Sequence, residues 1–433
     1  MNRYEWLFPA LLVLPFLFST TEQEVLRLPS ELGRWLVLAG ACGLGLYHGF
    51  GRGPAKQIGL VTADFWVWVI LLFFAMSSFW SIDPFYSFQR SVSCALLYGA
   101  TFWYLWDYAD RRGETSLLQI FLRTTAVILG LNLLLYGLLS PGLLLARRFQ
   151  GIFENPNNLG LICAISLPLV FAELFKSRSR WNWFCFGVFA LSLLLCGSRT
   201  GLVAALAGMI IIWALKIIRG NRMATAFGVA MFLLITALLL SNFFQENIAR
   251  EETVVTLSNR TLFWELAKEE YIPARPWLGH GFGTDGLVHD HYGVVLSDLK
   301  IRGYGVMSSY YGLAVAIGIP AAVFFFLLVA FVLVSALIRF RKHPPIVALA
   351  ATIVAGLLVG ITESAICSVG NCFAYLFWTV FALLVRRLAY RDQRIRLNAE
   401  GGLLRKKRRR SQTRQRNRRP QAPGMPSPVT DPR

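Results

Sequence analysis

Charge is scarce in this chain. Of its 433 residues, 15% are Asp, Glu, Lys or Arg and 55% are hydrophobic, whereas soluble domains carry roughly 25% charged residues. A surface that faces water over its whole extent is therefore excluded. Cysteine is scarce too: there are seven, five of them (Cys42, Cys94, Cys163, Cys185, Cys196) in apolar runs. No CxxC spacing or Cys/His pattern occurs, which argues against a disulfide framework and a zinc site. Cys367 and Cys372 flank one short loop and read as two free thiols. Neither a metal nor a cofactor is expected.

Long apolar runs are abundant, and the mean hydropathy is +0.52. Many runs approach the roughly 20 residues that a helix needs to cross a bilayer. Backbone groups facing lipid must pair within their own segment, so the runs read as helices. The expected fold class is all-α: a polytopic membrane bundle of about 12 transmembrane helices. The expected spans are Tyr4–Thr20, Leu32–Phe50, Asp64–Trp80, Phe88–Tyr108, Leu117–Leu139 and Asn157–Phe175. They continue with Asn182–Ser198, Gly201–Ile218, Met223–Ser241, Met307–Ile338, Ile346–Ile366 and Cys372–Leu388. The N-terminal run has no small-residue cleavage site and reads as a retained helix.

Placing the N-terminus in the cytoplasm gathers Arg52/Lys56, Arg111/Arg112, Lys176/Arg178/Arg180, Lys216/Arg219/Arg222 and Arg339/Arg341/Lys342 on one side, a positive-inside pattern. Both termini are then cytoplasmic. Residues 1–241 form an N-terminal transmembrane bundle of about nine helices and 242–306 a long loop on the opposite face. Residues 307–390 form the C-terminal transmembrane helices and 391–433 a basic tail. The formal charge is +19, and from Arg386 onward 16 Lys and Arg stand against three acids. Such a segment buries no core and reads as disordered. It suits contact with anionic membrane lipids, and no nucleic-acid partner is expected.

Arginines on the outer face run against the positive-inside preference and call for an explanation. Arg147 and Arg148 precede Phe149-Gln150-Gly151-Ile152-Phe153-Glu154-Asn155-Pro156-Asn157-Asn158-Leu159-Gly160. Asn155 can cap the next helix and Pro156 suits its first position. A helix N-terminus beside two arginines favours a phosphate group; snorkelling to lipid headgroups is the plainer alternative. Arg199 lies in Ser198-Arg199-Thr200-Gly201, at a turn that splits Trp181–Ile218 into a hairpin. It is either a functional intramembrane charge or a simple hairpin tip. Arg260 opens Asn259–Lys268, an amphipathic helix by the recurrence of Leu262/Leu266 and Phe263/Ala267. A glycine-rich stretch, Pro276-Trp277-Leu278-Gly279-His280-Gly281-Phe282-Gly283, follows.

In this order, "GxFxNPNxLG" behind an arginine, "SRTG", "NRxxxWxxA", "PWLGxGFG" and "SYxGLAxxxGIP" resemble the O-antigen ligase/polymerase superfamily, over roughly Arg147 to Pro320. The resemblance implies a GT-C-like fold in the bacterial inner membrane with the long loop in the periplasm. It implies a metal-independent, inverting glycosyltransferase that moves a glycan from an undecaprenyl-diphosphate carrier onto an acceptor hydroxyl. Arg199 and Arg260, then Arg147 and Arg148, are expected at the diphosphate, with Asn155, Asn157, Ser308 and Tyr310 as supporting motif positions. The partners implied are the carrier-linked donor and a glycan, lipid or protein acceptor; ligase and polymerase use the same donor chemistry and both stay open.

One departure matters. The family often has a His-Asn pair where Met307 and Ser308 stand here, and methionine is no base. His291 and His289 are the substitutes considered, sharing one face if their segment is extended, with Glu154 and Asp290 behind them. This departure points towards a divergent exopolysaccharide branch. Two other classes remain as alternatives, an anion transporter and a non-catalytic scaffold of a polysaccharide assembly complex. No internal repeat of the kind transporters show is present.

Overall fold

Several helices begin where a polar cap precedes the first turn. Asp83 accepts from the Tyr86 amide (2.9 Å) ahead of Pro84. Asn155 accepts from the Asn157 amide (2.8 Å) ahead of Pro156, and Ser179 accepts from the Trp181 amide. Each satisfies an amide that the helix itself leaves unpaired. The computed structural model describes residues 6–50, 61–138, 144–145, 148–217, 260–293, 305–339 and 344–389. Its helices are α1 (Leu7–Phe18), α2 (Glu24–Phe50), α3 (Val61–Met76), α4 (Pro84–Tyr98), α5 (Trp106–Arg112) and α6 (Glu114–Leu138). Then come α7 (Pro156–Leu174), α8 (Arg180–Cys196), α9 (Arg199–Ile217), α10 (Arg260–Leu266) and the short α11 (Val288–His291). The described chain closes with α12 (Ser309–Ile317), α13 (Ile319–Arg339), α14 (Pro344–Thr362) and α15 (Cys372–Ala389). Among the described residues, strand is confined to a two-residue pair, Leu144–Leu145 with Arg148–Phe149, and an isolated bridge between Thr21 and Phe153.

Among the described residues, four helices are long and apolar enough to cross a membrane: Glu114–Leu135, Pro156–Leu174, Ile319–Arg339 and Cys372–Ala389. Five shorter apolar helices accompany them. The expected ninth span, Met223–Ser241, and the basic tail over 391–433 lie outside the described residues. On α13 the outward side chains are themselves apolar, with Phe331 68% and Ile338 77% exposed. A surface of that kind suits hydrocarbon as its solvent.

Helix α7 is buried along almost its whole length and is packed by α8, α9 and α14. Close approach is obtained with glycine. A methyl on Gly201 would lie 2.8 Å from the Gly160 carbonyl oxygen, and one on Gly160 would lie 2.3 Å from Ser198 Cβ. The conspicuous glycines of two motifs are therefore one contact, which sets the N-terminal turns of α7 and α9 side by side. The stretch 181–218 does break at Gly197, which takes the left-handed conformation that ends α8.

Two expected elements differ. The apolar run Met307–Ile338 is divided at Gly318, so α12 is a short helix set apart from α13. Hydropathy does not register this break because the residues on both sides are apolar. Second, on α10 it is Phe263, followed by Ala267 and Tyr271, that is fully buried, while Leu262 is exposed. Ala267 and Tyr271 join Val288, Val306 and Val315 in a small satellite core. All seven cysteines are free thiols. By its internal contacts Met1–Arg387 is one unit; of a second, Leu388–Arg433, only Leu388 and Ala389 are described.

Candidate functional site

The "GIFENPN" segment is fixed by backbone pairing. Glu22 N donates to Ile152 O (3.1 Å) and Glu154 N to Thr20 O (2.9 Å), while Asn132 Oδ1 accepts from Ile152 N (3.0 Å). This clamp presents Arg148 to the end of α8. Its Nε donates to the Cys196 carbonyl (2.8 Å) and its Nη2 to Asn157 Oδ1 (2.7 Å). A cation is thereby held against the negative end of one helix and beside the positive end of another. Arg147 lies outside the described residues.

Arg199 stands half-buried in the first turn of α9. Its neighbour Thr200 meets Thr362, the last residue of α14, with their hydroxyl oxygens 2.8 Å apart. The next residue, Glu363, forms an ion pair with Arg260 from α10, both side chains being largely buried. Burial pushes the Glu363 carboxyl up, while the charges of Arg260 and Arg148 pull it back down. Three arginine-bearing segments, far apart in sequence, thus surround one acidic residue. No motif of the sequence marks Glu363. Its signal was position: a carboxylate on the face that carries the unexplained arginines.

The turn after Glu363 is pinned by Ser309. Its hydroxyl donates to Glu363 O (2.7 Å) and accepts from the amides of Ala365 (3.1 Å) and Ile366 (3.2 Å). Ser308 exchanges backbone contacts with the Ser364 hydroxyl. Tyr310 turns away, donating to Leu357 O (3.2 Å) and stacking on Phe326. Asn155 caps α7 and Asn157 receives Arg148, so both support the site through geometry. Met307, at the position of the family's histidine, adopts a φ of 53° and its carbonyl accepts from Trp264 Nε1 (3.3 Å).

The glycine-rich loop is laid backbone-to-backbone on α12. His280 N donates to Val315 O and Gly281 N to Ala316 O, each at 2.9 Å. A methyl on Gly279 would lie 2.5 Å from the Ala316 carbonyl oxygen, and one on Gly318 would lie 2.3 Å from the Trp277 carbonyl oxygen. Both glycines also have positive φ, 68° and 80°, which other residues adopt only with strain.

His289 and His291 do not share a face. Residues 288–291 form a helical turn rather than an extended segment, so successive odd positions diverge. His289 is buried, its Nδ1 2.8 Å from the Tyr271 hydroxyl; His291 is exposed. Neither contacts Arg148, Arg199 or Arg260. Burial pushes the Tyr271 phenol up to about 12, so the phenol donates and His289 Nδ1 accepts. Burial also lowers His289, against smaller upward effects from Asp290 and the Gly305 backbone. His280 is lowered by burial as well, although its contact with Val315 O opposes the shift. Glu154, pinned through its amide to Thr20 O, and Asp290, exposed, have no contact with the arginines.

Within an apolar helical bundle, Arg260 directly and Arg148 at longer range thus stand about one largely buried carboxylate. Residues 184–326 match the family model of the O-antigen ligase. The match supports, for this central region, the resemblance to the O-antigen ligase/polymerase superfamily that the motif order carries. The match covers about a third of the chain. It includes Arg199, Arg260 and both loop histidines, and leaves Arg148 and Glu363 outside. No curated protein matches the chain.

Proposed function

We propose that the protein is a glycosyltransferase that moves a glycan from an undecaprenyl-diphosphate carrier onto an acceptor hydroxyl, as a polysaccharide ligase or polymerase. It acts at the periplasmic face of the bacterial inner membrane, with about a dozen spans in a GT-C-like arrangement. The long loop between residues 242 and 306 is periplasmic, and the basic tail meets anionic lipid in the cytoplasm. The observation that carries the reading is the convergence of Arg148, Arg260 and the first turn of α9 on Glu363.

The chemistry follows from charge. As the acceptor oxygen attacks the anomeric carbon, the bond from that carbon to the carrier diphosphate breaks, and the electron pair leaves with the phosphate oxygen. Arg199, Arg260 and Arg148 stabilise that growing negative charge by charge-assisted hydrogen bonds. The role needs no divalent metal when several guanidiniums share it. Attack from the face opposite the leaving group inverts the anomeric configuration. The acceptor proton needs a base within hydrogen-bond reach. Glu363 takes this role in preference to His291 or His289, since it already stands among the arginines and burial favours its accepting a proton. The test is direct: Arg199→Ala and Arg260→Ala each abolish transfer in cells that still insert the protein, and full activity in both would remove the mechanism.

A further inference from the structure

Behind Glu363 the same turn borders a second chamber. A cavity of about 230 Å³ opens between the N-terminal half of α4, the glycine-rich loop, α12 and the turn 364–368. Its polar lining is Tyr86, Arg90, Asp285, Ser309, Ser364 and Ser368. None of these belongs to the arginine motifs of the first chamber. Arg90 donates to the Tyr86 hydroxyl and lies close enough to Asp285 for its charge to favour the carboxylate. The Ser364 hydroxyl, which donates to Ser308 O (3.3 Å), stands near the Asp285 carboxyl beside Gly312. Gly305 and Gly312 carry no side chain where Asp285 faces them; a methyl on Gly312 would lie 3.2 Å from Asp285 Oδ2 and 3.4 Å from Ser364 Oγ.

The composition of this wall is informative. A guanidinium, a carboxylate, a phenol and the Ser364 and Ser368 hydroxyls offer both donors and acceptors, the Ser309 hydroxyl being engaged in the turn 363–366. Phe282, Leu313 and Ala316 supply a short apolar surface beside them. A bare phosphate would meet Asp285 as a like charge, and a lipid tail would leave every polar group unpaired. A pyranose ring has hydroxyls for the one kind of lining and C–H faces for the other. The volume suits one such ring rather than a chain.

Resting on the glycan-transfer reading, we propose that this cavity is a carbohydrate subsite, in which Arg90, Asp285 and Ser364 bind the hydroxyls of one sugar residue of the donor glycan or of the acceptor. Consecutive residues then serve two chambers: Glu363 turns to the arginines and Ser364 to the sugar. Asp285 is a binding residue here, and burial raises its carboxyl against the pull of Arg90.

The experiment uses the full-length protein in nanodiscs. Its probe is the producing strain's repeat-unit oligosaccharide, released from the carrier by mild acid and observed by saturation-transfer NMR. Wild type and Arg260→Ala are expected to bind it equally. Asp285→Asn and Gly312→Ala are expected to weaken binding by about tenfold. Gly312→Ala fills the cavity while keeping every polar group, so it remains informative if Asp285→Asn misfolds. In the transfer assay the same variants raise KM with little change in kcat, for the donor or for the acceptor according to which sugar occupies the cavity. Binding and both KM values unchanged in Asp285→Asn and Gly312→Ala would overturn the subsite. Full transfer by Arg260→Ala would instead overturn the reading beneath it.

Discussion

Glu363 is the residue on which most of the site depends. It balances Arg260 directly and Arg148 at longer range. Glu363→Gln leaves both guanidiniums without that charge, at a cost of about 1–3 kcal/mol, and removes the proposed proton acceptor. Transfer should fall by about 100-fold or more, within the range for loss of a general base, while His291→Ala stays near wild type. The measurement is product formed per inserted protein. Near-normal transfer by Glu363→Gln beside a collapse in His291→Ala would return the role to the loop histidine.

Two buried histidines give the loop a sign-defined response to pH. His280 donates from Nδ1 to Val315 O and accepts at Nε2 from the Tyr292 hydroxyl; His289 accepts at Nδ1 from Tyr271. Both are lowered from 6.5 by burial, so the folded chain binds fewer protons than the unfolded one. Their contribution is present above the ordinary histidine value and is lost as the pH falls through it towards the folded values. Hydrogen exchange across residues 271–293 should therefore show less protection at about pH 5.5 than at about pH 7.5, after correction for intrinsic rates. His289→Gln should flatten that difference.

At the scale of elements, the glycine contacts decide where the arginines stand. Gly160 and Gly201 place the first turn of α9 against α7, so a side chain there must move the helix that carries Arg199. Gly201→Val should lower stability by about 1–3 kcal/mol through overpacking, read as thermal melting in detergent, and should reduce transfer further than the lost stability explains. The helices themselves were legible in the sequence because bilayer thickness imposes a length on each apolar run. The capped start at Asn155 was equally plain, whereas the one at Asp83, four residues ahead of the expected span, was not. The break at Gly318 was not, since an apolar run reads alike whether or not its backbone continues. The turn at His289 and His291 was not legible for a related reason: four residues are too few to carry a period.

Across the whole molecule, the site was legible only where its residues lie in local motifs. Arg148, Arg199 and Arg260 each sit in a recognisable string of residues. Glu363 lies 103 positions from Arg260, and Arg90 lies nearly 200 from Asp285, so their partnership exists only in the fold. The end of the bundle away from the motifs shows the same principle. Arg386 pairs with Asp110 (2.5 Å) and Arg387 with Glu114 (2.5 Å), joining the end of α5 and the start of α6 to α15 across the sequence. Breaking one such pair by Glu114→Ala should destabilise the bundle without altering KM for the donor, which separates support of the fold from work at the site.

The central claim is that the clustered arginines hold the diphosphate of a carrier-linked glycan while the sugar leaves. Its most direct test is mass spectrometry of carrier-linked glycans in cells whose only copy is Arg199→Ala or Arg260→Ala. The expected result is accumulation of undecaprenyl-diphosphate-linked glycan, with product lost and the protein still in the membrane. Wild-type product from both variants, with no carrier-linked material accumulating, would contradict it.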